Sequence, residues 1–353
     1  MAPFNFRQHL ADVMNWHFSP DTGSPFWLEM RSQLSFDPVK DIRSFADLFL
    51  FPDVSRLLRD VAIEDLQPKG LAKTPFAGVF ESGGTTGKPK RVVAYEAWLT
   101  QLVNWRLEGV DKSPVDRPKN TLAIIPGGPP HIVGAINLRR ARLLGGQYFT
   151  VDMDPRWVKK LIQAGDMAAV KAYSDHLVDQ AEQIITTQSL AYLIATPPLL
   201  EAIAGRRPLA EYLNQTLEMI TWGGTQMDAD TLDYLQTSIF PNVTITASYG
   251  STMILSDTKA RKDQKHNGSP IFDSYAPYVL LEVVDPETGT PVSYYERGRV
   301  VMNHLSKFAL FPNILERDTA VRLPALGDSP SVAVSNVKPV VEVEGQTVIE
   351  GVY

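Results

Sequence analysis

Short blocks of consecutive apolar residues punctuate this chain at 76–81, 121–125, 147–151, 190–195, 218–222 and 243–247. Such continuous runs suit strands covered on both faces. Between and after them, 95–110, 132–144, 155–164, 175–188 and 228–240 space their apolar positions three and four apart, which predicts helices. The alternation predicts an α/β architecture, layered sheets with crossover helices. Before it, residues 1–73 mix short helical patterns such as 44–58 with breaks at Pro20, Pro25, Pro38 and Pro52, and read as a capping layer. Beyond Asp257 the helical period fades. There 278–284, 299–305, 319–323, 340–343 and 347–349 alternate as strands, predicting a small antiparallel or β-barrel-like lobe. The expected division is therefore 1–256 and 257–353. No flexible linker or internal repeat separates the two, so they are expected to pack tightly.

Composition narrows the function classes. The 353 residues are 44% hydrophobic and carry a net charge of −6 from 40 acidic and 34 basic residues, with no basic stripe, so no nucleic-acid partner is expected. Zero cysteines exclude disulfides, thiolate metal sites and a thiol nucleophile. No leader-like N-terminus or membrane-length apolar run is visible, so neither export nor a membrane span is expected, and a cytoplasmic location is.

The segment with most chemical content follows the first apolar block: Ser82, Gly83, Gly84, Thr85, Thr86, Gly87, Lys88, Pro89, Lys90. Glycines allow close backbone approach, so several amides can converge on phosphate oxygens, while the threonines add hydroxyls and Lys88 a point charge. A polar turn between two hairpin strands is the plain alternative. The string is not the phosphate loop of nucleotide hydrolases, because Gly83 and Gly87 are too close together and Pro89 stands where that motif needs a metal-binding hydroxyl. This argues against a kinase or GTPase.

The second half of the string resembles the phosphate-binding signature of the adenylate-forming superfamily, which holds acyl-CoA synthetases, aryl-acid ligases, luciferases and adenylation domains. Three later segments resemble that family's motifs in its order. Trp222-Gly223-Gly224-Thr225 is similar to its acyl- and adenine-lining turn, Ala247-Ser248-Tyr249-Gly250-Ser251-Thr252 to its adenine-stacking motif, and Glu316-Arg317-Asp318 to the segment with its ribose-binding aspartate. The stretch 298–323 and the short N-terminal region look most like the phenylacetate-CoA ligase group.

The resemblance implies the large domain of an adenylate-forming enzyme, with phosphate loop and adenine motif in 1–256 and the ribose-binding Asp318 in 257–353. ATP and Mg2+ are the implied cofactors. Gly83 to Lys88 would hold the β- and γ-phosphates, Thr252 the α-phosphate region, and Tyr249 the adenine, within a nucleotide site that takes in Ser82, Gly223, Gly224, Ser248, Gly250 and Ser251. Lys88, Thr86 and Thr252 are the implied catalytic residues. Asp318 can accept two ribose hydroxyls, or it pairs with Arg317 or Arg322. His131, after a proline-rich turn, either faces the acyl pocket with Gly223, Thr225 and Tyr249 or caps the next helix. Two departures are visible. Met253 stands where the family has a magnesium-holding glutamate, so no metal ligand is assigned, although Thr86 or Ser251 could assist. The sequence given also stops before the family's C-terminal lid with its lysine, which is expected to be absent.

The implied activity is ATP-dependent activation of a carboxylic acid, benzoate- or anthranilate-like, with pyrophosphate release. Transfer to an amine, hydroxyl, coenzyme A or carrier protein would follow. An aryl-CoA ligase working with a partner, or a non-catalytic nucleotide- or acyl-binding protein, are the alternatives. The sequence leaves the oligomeric state open.

Overall fold

A computed structural model of the chain describes residues 4–82, 88–110 and 118–340, and the backbone of 342–343 and 346–347. The loop residues Gly83, Gly84, Thr85, Thr86 and Gly87 lie outside the described residues.

The five apolar blocks after the first form a five-stranded parallel sheet in the spatial order Tyr148–Thr150, Thr121–Ile124, Tyr192–Ala195, Met219–Trp222, Thr244–Ala247. Thr121–Ile124 and Tyr192–Ala195 are buried at every position, as strands covered by helices on both faces must be. After Thr121–Ile124 the chain passes through helix Ile132–Leu143 to the strand on one side. It then returns through Pro155–Gln163 and Met167–Ile185 to a strand on the other. The direction of winding thus reverses between these two central strands, and a crevice opens beyond their carboxyl ends.

The second sheet has six antiparallel strands in the order Lys259–His266, Ser269–Asp273, Ala333–Pro339, Ala309–Leu323, Arg297–Ser306, Val279–Val284. Sequence periodicity found only fragments of it. The first of its strands is polar at almost every position, and the 15-residue Ala309–Leu323 bends at Asn313, whose φ is +53°. Asn313 N–H donates to Asn303 Oδ1 (2.7 Å) across a register shift, so the alternation breaks there. The final expected strands correspond to a short pairing of Glu342–Val343 with Gln346–Thr347; residues 341, 344–345 and 348–353 lie outside the described residues.

The N-terminal region is a layer on this antiparallel sheet. Helix Phe6–Phe18 and the shorter Pro25–Met30 are anchored by Trp27 Nε1 to Leu310 O (2.9 Å), and Asn313 Nδ2 donates to Phe51 O (2.7 Å). The helix expected over 44–58 is instead two 3-10 turns, Ala46–Leu50 and Val54–Arg59. Pro52 cannot continue a helix, and Asp53 starts a new turn by accepting from Ser55 N–H (2.9 Å). The helix expected from 175 starts earlier, at Met167, because Asp166 caps Ala169 N–H. Helices Pro197–Ala204 and Arg207–Thr216 were not anticipated; the first follows its strand so closely that the two read as one apolar run. One apolar core runs unbroken from Leu10 through both sheets to Val334.

Two histidines are sealed where the N-terminal layer, the core and the antiparallel sheet meet. His17 Nε2 lies 2.7 Å from Ser306 O; His304 contacts Ile254 O (2.6 Å) and Ser306 Oγ (2.7 Å). Burial lowers His17 to about 4 and His304 to about 3. Both are neutral in the fold and take up a proton on unfolding below their ordinary value of 6.5. Stability is therefore complete above that value and declines as pH falls toward 4. Unfolding free energies from urea denaturation at pH 7 and pH 5 should differ by roughly 3 to 4 kcal/mol, and His304→Gln should flatten the profile.

Candidate active site

The crevice beyond the parallel sheet is a cavity of about 610 Å³. Its floor is the sheet's carboxyl edge, Ile125, Pro126, Ala195, Thr221 and Trp222, and its far wall is the antiparallel sheet through Arg299, Glu316, Asp318 and Asn336. Two motifs separated in sequence meet here because their strands pair in parallel, Trp222 opposite Ala247. Just past those residues Ser248 N–H donates to Trp222 O (2.8 Å). Gly223 is packed so closely that a Cβ would sit 2.7 Å from Ser248 O, and Gly224 has φ +85°, a left-handed conformation. Together they form a bare backbone shelf. Thr225, next on the shelf, has a buried Oγ1 with no hydrogen-bond partner among the described residues, an unmet polar group facing a cavity.

The wall opposite is acidic. Glu316 and Asp318 lie in the bulge between the pairs Arg299–Thr319 and Val301–Leu315, and both line the cavity. Tyr249 Oη donates to Asp318 Oδ2 (3.0 Å), and Ser251 Oγ donates to Glu316 Oε1 (2.6 Å). Asp318 is not on a loop and not paired with Arg322, which Glu282 holds at 2.6 and 2.9 Å. Enclosure in the cleft raises the Asp318 carboxyl, with Arg317 opposing, and raises Glu316, to which Asp318's charge adds. Tyr249 is raised well above its ordinary value by burial and then by these two charges, so it stays a donor. Arg299 braces the strand, donating from Nε (2.9 Å) and Nη2 (2.6 Å) to Glu316 O.

The glycine-rich segment joins two antiparallel strands, Phe76–Glu81 and Arg91–Tyr95, so the hairpin topology coexists with a cavity position for Ser82, Lys88 and Lys90. Ser82 N–H donates to Lys90 O and Lys90 N–H to Ser82 Oγ, both 3.0 Å, closing the loop's base. Ser82, Lys88 and Lys90 line the cavity, as do Arg56 and Arg59 from the 3-10 turn Val54–Arg59. Lys88 pairs with Asp60 at 3.0 Å with both side chains mostly exposed, a contact weak enough to yield to an anion. Gly250 packs against Ser256, and Thr252 opens the 3-10 turn Thr252–Ile254 at the cavity wall. His131 also lines the cavity. It occupies the position before helix Ile132–Leu143, but its side chain makes no cap, and burial followed by Arg156's charge lowers its pKa.

Lys90 and Glu316 stood inside quoted motifs without a role, and Arg299 stood in the stretch 298–323 without one; nothing in the sequence signalled Arg56 and Arg59. Met253 is 3% exposed and belongs to the core. Among the described residues no three His, Asp or Glu side chains cluster as a metal cage. One carboxylate beside a hydroxyl, Glu316 with Ser251, suits a magnesium ion that takes its other ligands from phosphate and water.

No family model matches the sequence, and no curated protein matches it. Solved structures do match in fold. Crystal structures of 2-hydroxyisobutyryl-CoA ligase superpose with TM-score 0.65 in the postadenylation state with R3-HIB-AMP and 0.61 in the thioesterification state with 2-HIB-AMP and CoA. Each is 13% identical; they cover 98% and 93% of this chain, which spans 70% and 65% of theirs. The ATP-bound RpMatB-BxBclM chimera B1 matches with TM-score 0.50 and 15% identity over 73% of this chain and 47% of its own. The chain has the fold of the large domain of adenylate-forming enzymes.

Proposed function

We propose that this chain activates a carboxylic acid with ATP, forming an acyl-adenylate and pyrophosphate. The observation that carries the reading is the pairing of Tyr249 with Asp318 and Ser251 with Glu316 across a cavity that also takes in the Gly223–Gly224 shelf and the loop base. Tyr249 offers a ring for the adenine and Asp318 two acceptor oxygens for the ribose hydroxyls. Ser82, Lys88 and Lys90, with loop residues Gly83 to Gly87, would hold the β- and γ-phosphates, and Thr252 the α-phosphate region. The substrate carboxylate attacks the α-phosphorus in line, the bond to the bridging oxygen breaks, and pyrophosphate leaves with the electron pair. No enzyme nucleophile is needed, so catalysis is positioning and charge stabilisation. Magnesium, held by phosphate oxygens with Glu316 and Ser251, would supply countercharge.

His131, Gly223, Thr225 and Tyr249 are assigned to the acyl side. The likeness of 298–323 to the phenylacetate-CoA ligase group supports an aryl acid. The solved neighbours' acyl-AMP and CoA complexes support a carboxylic acid with coenzyme A among the acceptors. Hydroxylamine trapping tests the reading: acyl-hydroxamate should form from acid, ATP and magnesium together and not when any one is omitted. Lys88→Ala should raise the KM for ATP by about tenfold, the scale of one charge-assisted contact, with the melting temperature unchanged because the side chain is exposed. An unaltered ATP dependence would remove Lys88 from the phosphate site.

A further inference from the structure

One pair of charged side chains lining the cavity has no role in the nucleotide site proposed above. Ser248 and Tyr249 are neighbours in sequence, yet their hydroxyls go to different carboxylates: Tyr249 to Asp318, and Ser248 Oγ to Asp257 Oδ2 at 2.9 Å. The cavity thus has two polar poles. At the second pole Arg106, the last residue of helix Glu96–Arg106, faces Asp257 with its Nη1 3.5 Å from Oδ2. Both side chains are largely covered, at 13% and 19% exposure, and both line the cavity together with Ser248, Thr221, Ile136 and Asn137.

The pair is incompletely satisfied. Arg106 Nη1 and Asp257 Oδ1 are buried and have no hydrogen-bond partner among the described residues. Behind them Arg140, also enclosed, reaches the Thr221 hydroxyl, Met219 sulfur and the Tyr192 ring, and among the described residues it has no carboxylate within ion-pair distance. Burial and then Arg106's charge pull Arg140 down to about 10. A donor held only by a long 3.5 Å ion pair and an acceptor with no hydrogen bond thus belong to side chains that line the cavity side by side, in a setting where each unmet hydrogen bond costs free energy.

We infer that Arg106 and Asp257 form a subsite for a hydroxyl group on the acid substrate, accepting from Arg106 and donating to Asp257. This rests on the adenylation reading and specifies its substrate class as hydroxy-substituted carboxylic acids. A second carboxylate would satisfy Arg106 but set its charge against Asp257; an ammonium would do the reverse. A hydroxyl is donor and acceptor at once, and it leaves the existing ion pair intact.

Pyrophosphate release by the full chain, measured across matched acids, tests this: 3- and 4-hydroxybenzoate against benzoate, and 3-hydroxybutyrate against butyrate. At least one hydroxylated acid should exceed its parent by about tenfold or more in kcat/KM, because the parent leaves buried polar groups unmet. In Arg106→Gln/Asp257→Asn, which removes both charges and keeps the shape, that ratio should fall below about threefold. The wild-type ratios decide the matter even where the double variant fails to fold. Equal use of hydroxylated and parent acids, or preference for succinate or an amino acid over both, overturns the subsite while leaving adenylation standing. No release with any acid overturns the adenylation reading itself.

Discussion

Asp318→Ala is expected to lower kcat/KM for ATP by about two to four orders of magnitude, from losing two charge-assisted hydrogen bonds worth about 1.5–3 kcal/mol each. The fold should survive. Asp318 accepts from Tyr249 at the cleft surface, and its removal leaves that phenol facing solvent or ligand. The effect should also be specific in kind: deoxy-ATP analogues lacking a ribose hydroxyl should already be poor with the wild type and lose little more in the variant. Tyr249→Phe separates the roles of the motif, since it keeps the ring for stacking and removes only the hydrogen bond to Asp318. A variant whose discrimination between ATP and 2′-deoxy-ATP is unaltered would show that Asp318 does not hold the ribose.

Trp98→Ala should destabilise the protein by about 4–5 kcal/mol, the upper end for truncating a buried aromatic. Trp98 is fully buried and packs against His304 at a centroid distance of 4.3 Å, with Tyr275, Tyr278 and Phe308 around it. Its Nε1 donates to Leu255 O at 2.8 Å. Leu255 is left-handed, φ +52°, at the end of the turn that begins with Thr252. That conformation costs a branched side chain about 1–2 kcal/mol, and the indole hydrogen bond helps fix it. Trp98→Phe should therefore recover most of the packing but not the turn. Chemical denaturation should show a loss of about 1–2 kcal/mol in Trp98→Phe, with the KM for ATP raised more than in a core variant distant from Leu255.

The parts of this molecule that sequence displayed are those where one physical signal dominates. Tyr192–Ala195 and Thr121–Ile124 are apolar throughout because helices cover both faces, and the glycine motifs stand out because Gly223 tolerates no side chain. The polar edge strand Lys259–His266 gives no such signal, since its neighbour on one side only shields half of it. Pairings between distant residues were equally hidden. Arg106 lies on a helix and Asp257 after the adenine motif, and nothing in either local pattern shows that the fold brings them within 3.5 Å. Met253 had suggested a missing carboxylate; the structure puts the hydroxyl of Ser251 on Glu316, supplied from another strand. A motif shows which groups a short segment offers, whereas a site is completed by whatever the sheets bring opposite it.

The central claim concerns the bond made to the α-phosphorus, and isotope exchange reads it without knowledge of the final acceptor. The protein is incubated with ATP, magnesium and labelled pyrophosphate across a panel of aryl and aliphatic acids. The account predicts label entering ATP only when a suitable acid is present, with the exchange lost in Asp318→Ala. Exchange that is absent with every acid, in protein that binds ATP and is folded, would contradict it.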